Sequence, residues 1–210
     1  QYLDCDVNRL GVDLMTFSAH KIYGPKGVGL LYIRTGTPIK PLIHGGGQER
    51  GMRSGTENIA GIVGFAKALG IAVDEQEREK KRMSALRDQL IDGVLKTIPE
   101  AVLNGHPTER LPHNAHFSFK GVEGDALVLM LNEENILTST GSACASHTID
   151  PSHVLIALGV PRDRAHSAVR FTLGRSTTEN DIKKVLDVLP KIVQKLRSLS
   201  PLIEKKVRRR

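Results

Sequence analysis

Apolar and polar positions fall into segments of distinct period, and each segment predicts an element. Val12 to Phe17 is a short β-rich run interrupted only by Asp13 and Thr16, which predicts a buried strand. Gly29 to Ile33 predicts a second strand, beyond the dense turn residues Gly24-Pro25-Lys26-Gly27. Ile59, Ile62, Val63, Ala66 and Leu69 then recur at helical spacing as far as Val73. Met83, Leu86, Leu90, Val94 and Leu95 keep the period beyond the charged bridge Asp74 to Arg82, so a long helical region with a hinge at that bridge is expected. Downstream the pattern predicts strands at Ala101 to Leu103, His116 to Phe119, Ile136 to Ser139 and Val169 to Leu173, with helices near 123 to 132 and 151 to 158. A last helix starts near Thr178, with Asp181 three residues on as a capping-box variant, and runs toward Leu199; Pro190 is expected to kink or divide it.

Composition narrows what this α/β pattern can be. The chain has 210 residues, 40% hydrophobic and 25% charged, which suffices for one domain or slightly more with a sizeable core. No apolar run approaches the length of a membrane span, so no membrane partner is expected. Cys5 and Cys144 are far apart with no C-x-x-C, which argues against a disulfide scaffold and a structural zinc site and fits a reducing cytosol. Cys5 is expected to be a small packing residue. The net charge is +7, but Lys205, Lys206, Arg208, Arg209 and Arg210 supply five of it, leaving +2 for the remainder. That excess reads as a solvated basic tail. With aromatic residues at 4% and no stacking platform, a nucleic-acid partner is not expected. His106, His113, His116, His147, His153 and His166 lack the spacing of a hydrolytic zinc site and read as incidental polar or packing residues; no metal is expected.

Four segments carry candidate chemistry. In Ser18-Ala19-His20-Lys21, one lysine ends a strand-like run among hydroxyl, imidazole and glycine neighbours. A lysine is nucleophilic once a neighbouring cation or desolvation lowers its pKa, and it then forms imines with aldehydes. An ordinary solvated lysine is the alternative. His44 to Thr56 holds five glycines, Arg50, Arg53, Ser54 and Thr56 just before a helical pattern. Bare backbone N–H groups, guanidinium and hydroxyl donors near a helix N-terminus suit a phosphate. A plain surface loop is the alternative there. Thr138 to His147 surrounds Cys144 with small and hydroxyl residues, unlike the bulky apolar neighbours of a buried structural cysteine. A reactive thiol and a spectator cysteine both remain open. Arg170, alternating with Val169, Phe171 and Leu173, faces inward from a strand and needs an anion, either a bidentate carboxylate ligand or one of the chain's own carboxylates.

These segments together resemble the cysteine desulfurase family, the pyridoxal-phosphate enzymes of the class V aminotransferase group that take sulfur from L-cysteine and leave alanine. The resemblance runs from about Tyr2 to Pro201, through His20-Lys21-Ile22-Tyr23-Gly24-Pro25-Lys26-Gly27, Gly51-Met52-Arg53-Ser54-Gly55-Thr56, Gly141-Ser142-Ala143-Cys144 and Val169-Arg170-Phe171. It implies that Lys21 binds the cofactor aldehyde, that Ser18 and His20 bind its phosphate, and that Thr56 reaches the phosphate in the neighbouring subunit of a homodimer. It further implies that Cys144 attacks the substrate sulfur and carries the persulfide, while Arg170 holds the substrate carboxylate. The Gly-Ser-Ala-Cys form resembles the branch with a long cysteine loop. Ala19 stands where many members have glycine, and Ala145, Ser146, His147 and Thr148 vary a segment usually richer in serine and threonine.

The implied fold is that of a fold-type-I pyridoxal-phosphate transferase. Residues 1–76 would be the end of the large cofactor domain and its linking helix, 77–202 the small C-terminal α/β domain, and 203–210 a basic tail. The chain opens on Gln1, and the family's remaining cofactor-pocket residues normally lie upstream, so a C-terminal fragment is expected. The implied partners are L-cysteine, a second copy of the chain, and a sulfur acceptor or iron–sulfur scaffold protein, in the cytoplasm. Selenocysteine cleavage or another reaction of the same fold, and a non-catalytic truncated partner, are the alternatives.

Overall fold

The computed structural model describes residues 1–140 and 151–200. The chain divides into two compact units, Gln1–Arg78 and Glu79–Arg210. The basic tail and Cys144 lie outside the described residues.

In the first unit, α1 (Val7–Leu10) is capped by Asp6, whose side chain accepts from the N–H groups of Asn8 and Arg9. Those two bonds hold the Asp6 carboxyl below its ordinary range. The helix stops at Gly11, which adopts the left-handed conformation at φ 64°. β1 (Leu14–Ser18) pairs antiparallel with β2 (Gly29–Ile33), from Leu14 opposite Ile33 to Ser18 opposite Gly29. Arg34 fastens this hairpin to α1 by donating to the carbonyls of Val7 and Val12 and to Asn8 Oδ1.

Two expectations fail in this unit. Neither β1 nor β2 contains a buried residue, because the sheet has only two strands and no layer over it among the described residues. Cys5 is exposed, with its thiol directed at the Leu3 carbonyl instead of into a core.

α2 (Ile59–Thr97) runs 39 residues without interruption. Asn58 starts it by accepting the Gly61 N–H at 3.0 Å. The charged bridge from Asp74 to Arg82, expected as a hinge, is helical throughout. Its residues are mostly strong helix formers, and the i,i+3 pairs Glu75–Arg78 and Glu79–Arg82 support it.

The second unit folds the rest of α2 with β3 (Ala101–Leu103), β4 (Asn114–Phe119), α3 (Gly124–Glu133), α4 (His153–Ala157), α5 (Arg162–His166), β5 (Ala168–Thr172) and α6 (Glu179–Leu199). The sheet is antiparallel in the order β3-β4-β5. Its packed face presents Ala115, Phe117, Phe119, Val169 and Phe171, all buried. Phe117 lies 6.0 Å from both Phe119 and Phe171, edge-on to the latter. Met83, Leu90 and Val94 of α2, Leu127 and Leu131 of α3, and Ile182, Leu189 and Val193 of α6 complete the core. Gly93 permits the close approach of α2 and α6: a Cβ there would stand 2.5 Å from Leu186.

Thr178 and Asp181 form the expected capping box at the start of α6. Pro190 does not divide that helix. The predicted strand at Ile136 to Ser139 reduces to one bridge, Ser139 opposite Arg170, so only that residue extends the sheet. The five-residue helix α5 had no periodic signal, being short and mostly charged.

Candidate active site

Lys21 was expected at a strand end, and the structure sets it on a turn just beyond one. β1 ends at Ser18, after which Ala19–Ile22 form a single 3-10 turn closed by Tyr23 at φ 65°. Close backbone approach makes this turn. Ala19 N–H donates to the Val28 carbonyl at 3.2 Å, Gly24 N–H donates to the Ala19 carbonyl at 2.9 Å, and Ala19 is fully buried. A Cβ on Gly24 would lie 2.9 Å from the Ala19 oxygen, so glycine at 24 and a small residue at 19 are steric requirements. Ser18, His20 and Lys21 are thereby presented together, and all three are exposed. The Lys21 amine has no ion-pair partner among the described residues.

The glycine-rich loop is fastened from within. Ser54, buried, donates its hydroxyl to the Gly46 carbonyl at 2.8 Å, and the Gly55 N–H donates to Gln48 Oε1 at 3.1 Å. Arg50 takes a left-handed φ of 57°, next to Gly51 at 77°. Arg53 folds back so that its Nη1 donates to the carbonyl of Ser54. Thr56 is exposed just ahead of the α2 N-terminus. The first unit thus carries Ser18, His20, Lys21 and Thr56.

Arg170 belongs to the second unit, on β5. Strand alternation places Asn114, His116, Ser118, Ala168, Arg170 and Thr172 on the face opposite the phenylalanines. Arg170 is flanked by His116 in the β4–β5 ladder and by Ser139 on the other side. Its Nε is buried and has no hydrogen-bond partner, and no ion pair reaches it among the described residues. Its own chain's described carboxylates therefore do not supply the anion a strand-borne arginine needs. Burial, with Arg170 and Arg110 beside it, holds His116 down to about 4, and burial also lowers His113.

A family model described as aminotransferase class-V matches residues 2–185. The chain belongs to that family. Its class-V relatives include a protein named cysteine desulfurase IscS from Clostridium botulinum, 52% identical over 205 residues, covering 97% of this chain and 52% of the relative. Another of the same name, from Methanosarcina thermophila, is 51% identical over 207 residues, covering 99% of this chain and 51% of the relative. The chain spans about half the length of the curated relatives it matches. Among solved structures, a NifS-like protein superposes with a TM-score of 0.80 at 41% identity, over 90% of this chain and 48% of that one. A structure titled SspA in complex with cysteine gives a TM-score of 0.62 at 32% identity, over 81% of this chain and 46% of that one. Class-V aminotransferases are fold-type-I proteins that use pyridoxal phosphate.

The donor set of this class-V chain fits that cofactor. A primary amine, an imidazole and a hydroxyl project from one sterically fixed turn, which is the chemistry an aldehyde and a phosphate require. Sequence reasoning missed Asn104, Arg110 and the special place of His116. Alternation of His116 with the packed Phe117 and Phe119 was the available signal for the last; the other two sit on an irregular connection without period.

Proposed function

We propose that the protein acts as a cysteine desulfurase, removing sulfur from L-cysteine to give L-alanine and a persulfide on Cys144. The observation that carries this reading is the buried Nε of Arg170, without a hydrogen-bond partner among the described residues, on a guanidinium that can grip a carboxylate bidentately and faces no described carboxylate of its own chain. A bound pyridoxal phosphate supplies the electron sink for the amino acid's carbon skeleton. Lys21 would hold the cofactor aldehyde, and its amine would hold and return the α-proton of the substrate. Ser18 and His20 donate to the phosphate. Thr56 contributes to the phosphate site of a second copy in a homodimer. Arg170 grips the substrate carboxylate through its planar fork. The Cys144 thiolate attacks the substrate sulfur, forming the S–S bond as the sulfur–Cβ bond breaks and its electron pair stays with the carbon skeleton that is protonated to alanine; the persulfide then passes to a sulfur acceptor or iron–sulfur scaffold protein.

Relatives named cysteine desulfurase over nearly the whole of this chain support the assignment over selenocysteine cleavage. A cytoplasmic setting agrees with two widely separated cysteines and with the lack, among the described residues, of any helix long and apolar enough to cross a membrane.

The decisive measurement is alanine and transferable sulfur formed from L-cysteine by the cofactor-loaded protein. Cys144→Ala should abolish sulfur transfer while cofactor absorbance persists, and Lys21→Ala should lose that absorbance. Arg170→Gln should raise the KM for L-cysteine by about a hundredfold, the worth of a charged bidentate pair. Full sulfur transfer by Cys144→Ala would overturn the proposal.

A further inference from the structure

Asn104, His116, Arg170 and Ser139 are successive neighbours across the second unit's sheet. Asn104 N–H donates to the His116 carbonyl at 2.8 Å, His116 stands opposite Arg170 in the ladder, and Arg170 exchanges backbone hydrogen bonds of 2.8 and 3.2 Å with Ser139. Because Arg170 directs its backbone groups toward Ser139, its pairing with His116 is of the non-hydrogen-bonded kind. Directly opposed Cα atoms of such a pair approach to about 4.5 Å and their side chains crowd on one face. His116 is thus the nearest cross-strand side chain to the arginine.

The Asn104 amide fixes what that neighbour is. Asn104 is buried, and its Nδ2 faces two acceptors, Ser118 Oγ at 2.9 Å and His116 Nδ1 at 3.3 Å. With the amide nitrogen as the donor, Nδ1 of His116 accepts and the ring proton belongs on Nε2. Arg110, whose Nη2 donates to the Asn104 carbonyl at 2.6 Å, adds a second positive charge near the ring. Both guanidinium groups oppose a proton on the ring, and burial works in the same direction.

We propose that Asn104 and His116 are positioning residues for Arg170: the Asn104 amide locks the His116 imidazole as its neutral Nε2–H tautomer directly across from the guanidinium, so the carboxylate of an α-amino acid substrate meets one cation held beside an uncharged ring. The inference rests on reading Arg170 as the carboxylate clamp. An imidazolium in that place would repel the guanidinium and draw the carboxylate away from its fork. A ring in the other tautomer would leave the Asn104 N–H facing another N–H.

Asn104→Asp tests this, because a carboxylate only accepts and Nδ1 must carry a proton to meet it. Nitrogen-15 NMR of the histidine rings, with His116 assigned through His116→Asn, should show the Nε2–H tautomer in the unaltered protein at pH 7. In Asn104→Asp it should show a ring protonated at Nδ1. The KM for L-cysteine should rise about tenfold in Asn104→Asp with kcat nearly unchanged, the signature of a weakened charge contact rather than lost chemistry. His116→Asn, which keeps the site uncharged but removes the ring across from the guanidinium, should raise KM less than Asn104→Asp does. Asn104→Asp that shifts the tautomer and leaves KM unmoved overturns the inference, as does an Nδ1–H or charged ring in the unaltered protein above pH 5; that spectrum decides even if the variant does not fold. Arg170→Gln run alongside separates the two levels. If it leaves KM unchanged the clamp itself falls, whereas if it raises KM while Asn104→Asp does not, the clamp stands and the positioning role falls.

Discussion

β1 and β2 read LMTFS and GLLYI, whereas β4 and β5 read NAHFSF and AVRFT, so the first pair is at least as apolar as the second. Their surroundings differ. Leu14, Leu30 and Leu31 are each 45% exposed, while Phe117, Phe119 and Val169 are completely buried beneath three helices. Pairing two strands satisfies backbone groups without removing side chains from water, and stability comes only when another layer covers the face. The sheet bearing Arg170 has such a layer. The hairpin leading into the Lys21 turn is held by short backbone contacts at Ala19 and Gly24 and by Arg34.

Truncating the covered sheet should have the largest effect. Phe117→Ala should lower stability by about 3–5 kcal/mol, whereas Leu31→Ala should cost less than about 1 kcal/mol, since little area is lost from contact. Denaturant unfolding of both variants measures this, and equal losses would erase the contrast between the sheets.

Acid should act next, and through the second unit. The His116 ring titrates at about 4 in the folded protein, below its ordinary value of 6.5. As pH falls through about 6.5 the unfolded chain takes up a proton that the folded protein refuses until about 4, so stability rises with pH across that window and is fully present above it. Up to about 3 kcal/mol should be lost between pH 7 and 4 through this group. His116→Asn should flatten most of that slope in pH-dependent unfolding.

Gly24→Ala addresses the first unit. Its Cβ would press on the Ala19 carbonyl, and overpacking against backbone costs about 1–3 kcal/mol. Amide hydrogen exchange around residues 19–24 should quicken, with cofactor retention falling in parallel. The smallest effect belongs to Thr178→Ala, which removes the α6 cap and should lower stability by about 1 kcal/mol in the same unfolding assay.

Much of this architecture was legible in the residue pattern, for identifiable reasons. Alternation located β4 and β5 to within two residues, and the Thr178–Asp181 box located α6, because period and capping are local properties. Helical periodicity kept across Asp74 to Arg82 matches α2, which runs through that bridge unbroken because charge alone does not interrupt a helix whose residues favour one. Ile136 to Leu137 looked strand-like, yet pairing depends on a partner edge, and only Ser139 meets Arg170. Burial of the first hairpin was misjudged for the same reason: apolar strands advertise a need for cover without supplying it. At the candidate site, turn residues located the bend on which Lys21 sits, and Arg170 stood out as a cation inside an apolar run. The Asn104–His116 pair did not, since it joins residues from a loop and a strand that only the sheet register makes adjacent.

The ladder around Arg170 also limits how this sequence can drift. A single inserted or deleted residue within β5 would rotate the guanidinium onto the side occupied by Phe117 and Phe171 and send Val169 or Phe171 out in its place. Length changes are therefore tolerable in the connections flanking β4 and β5, while the strands themselves admit substitution only.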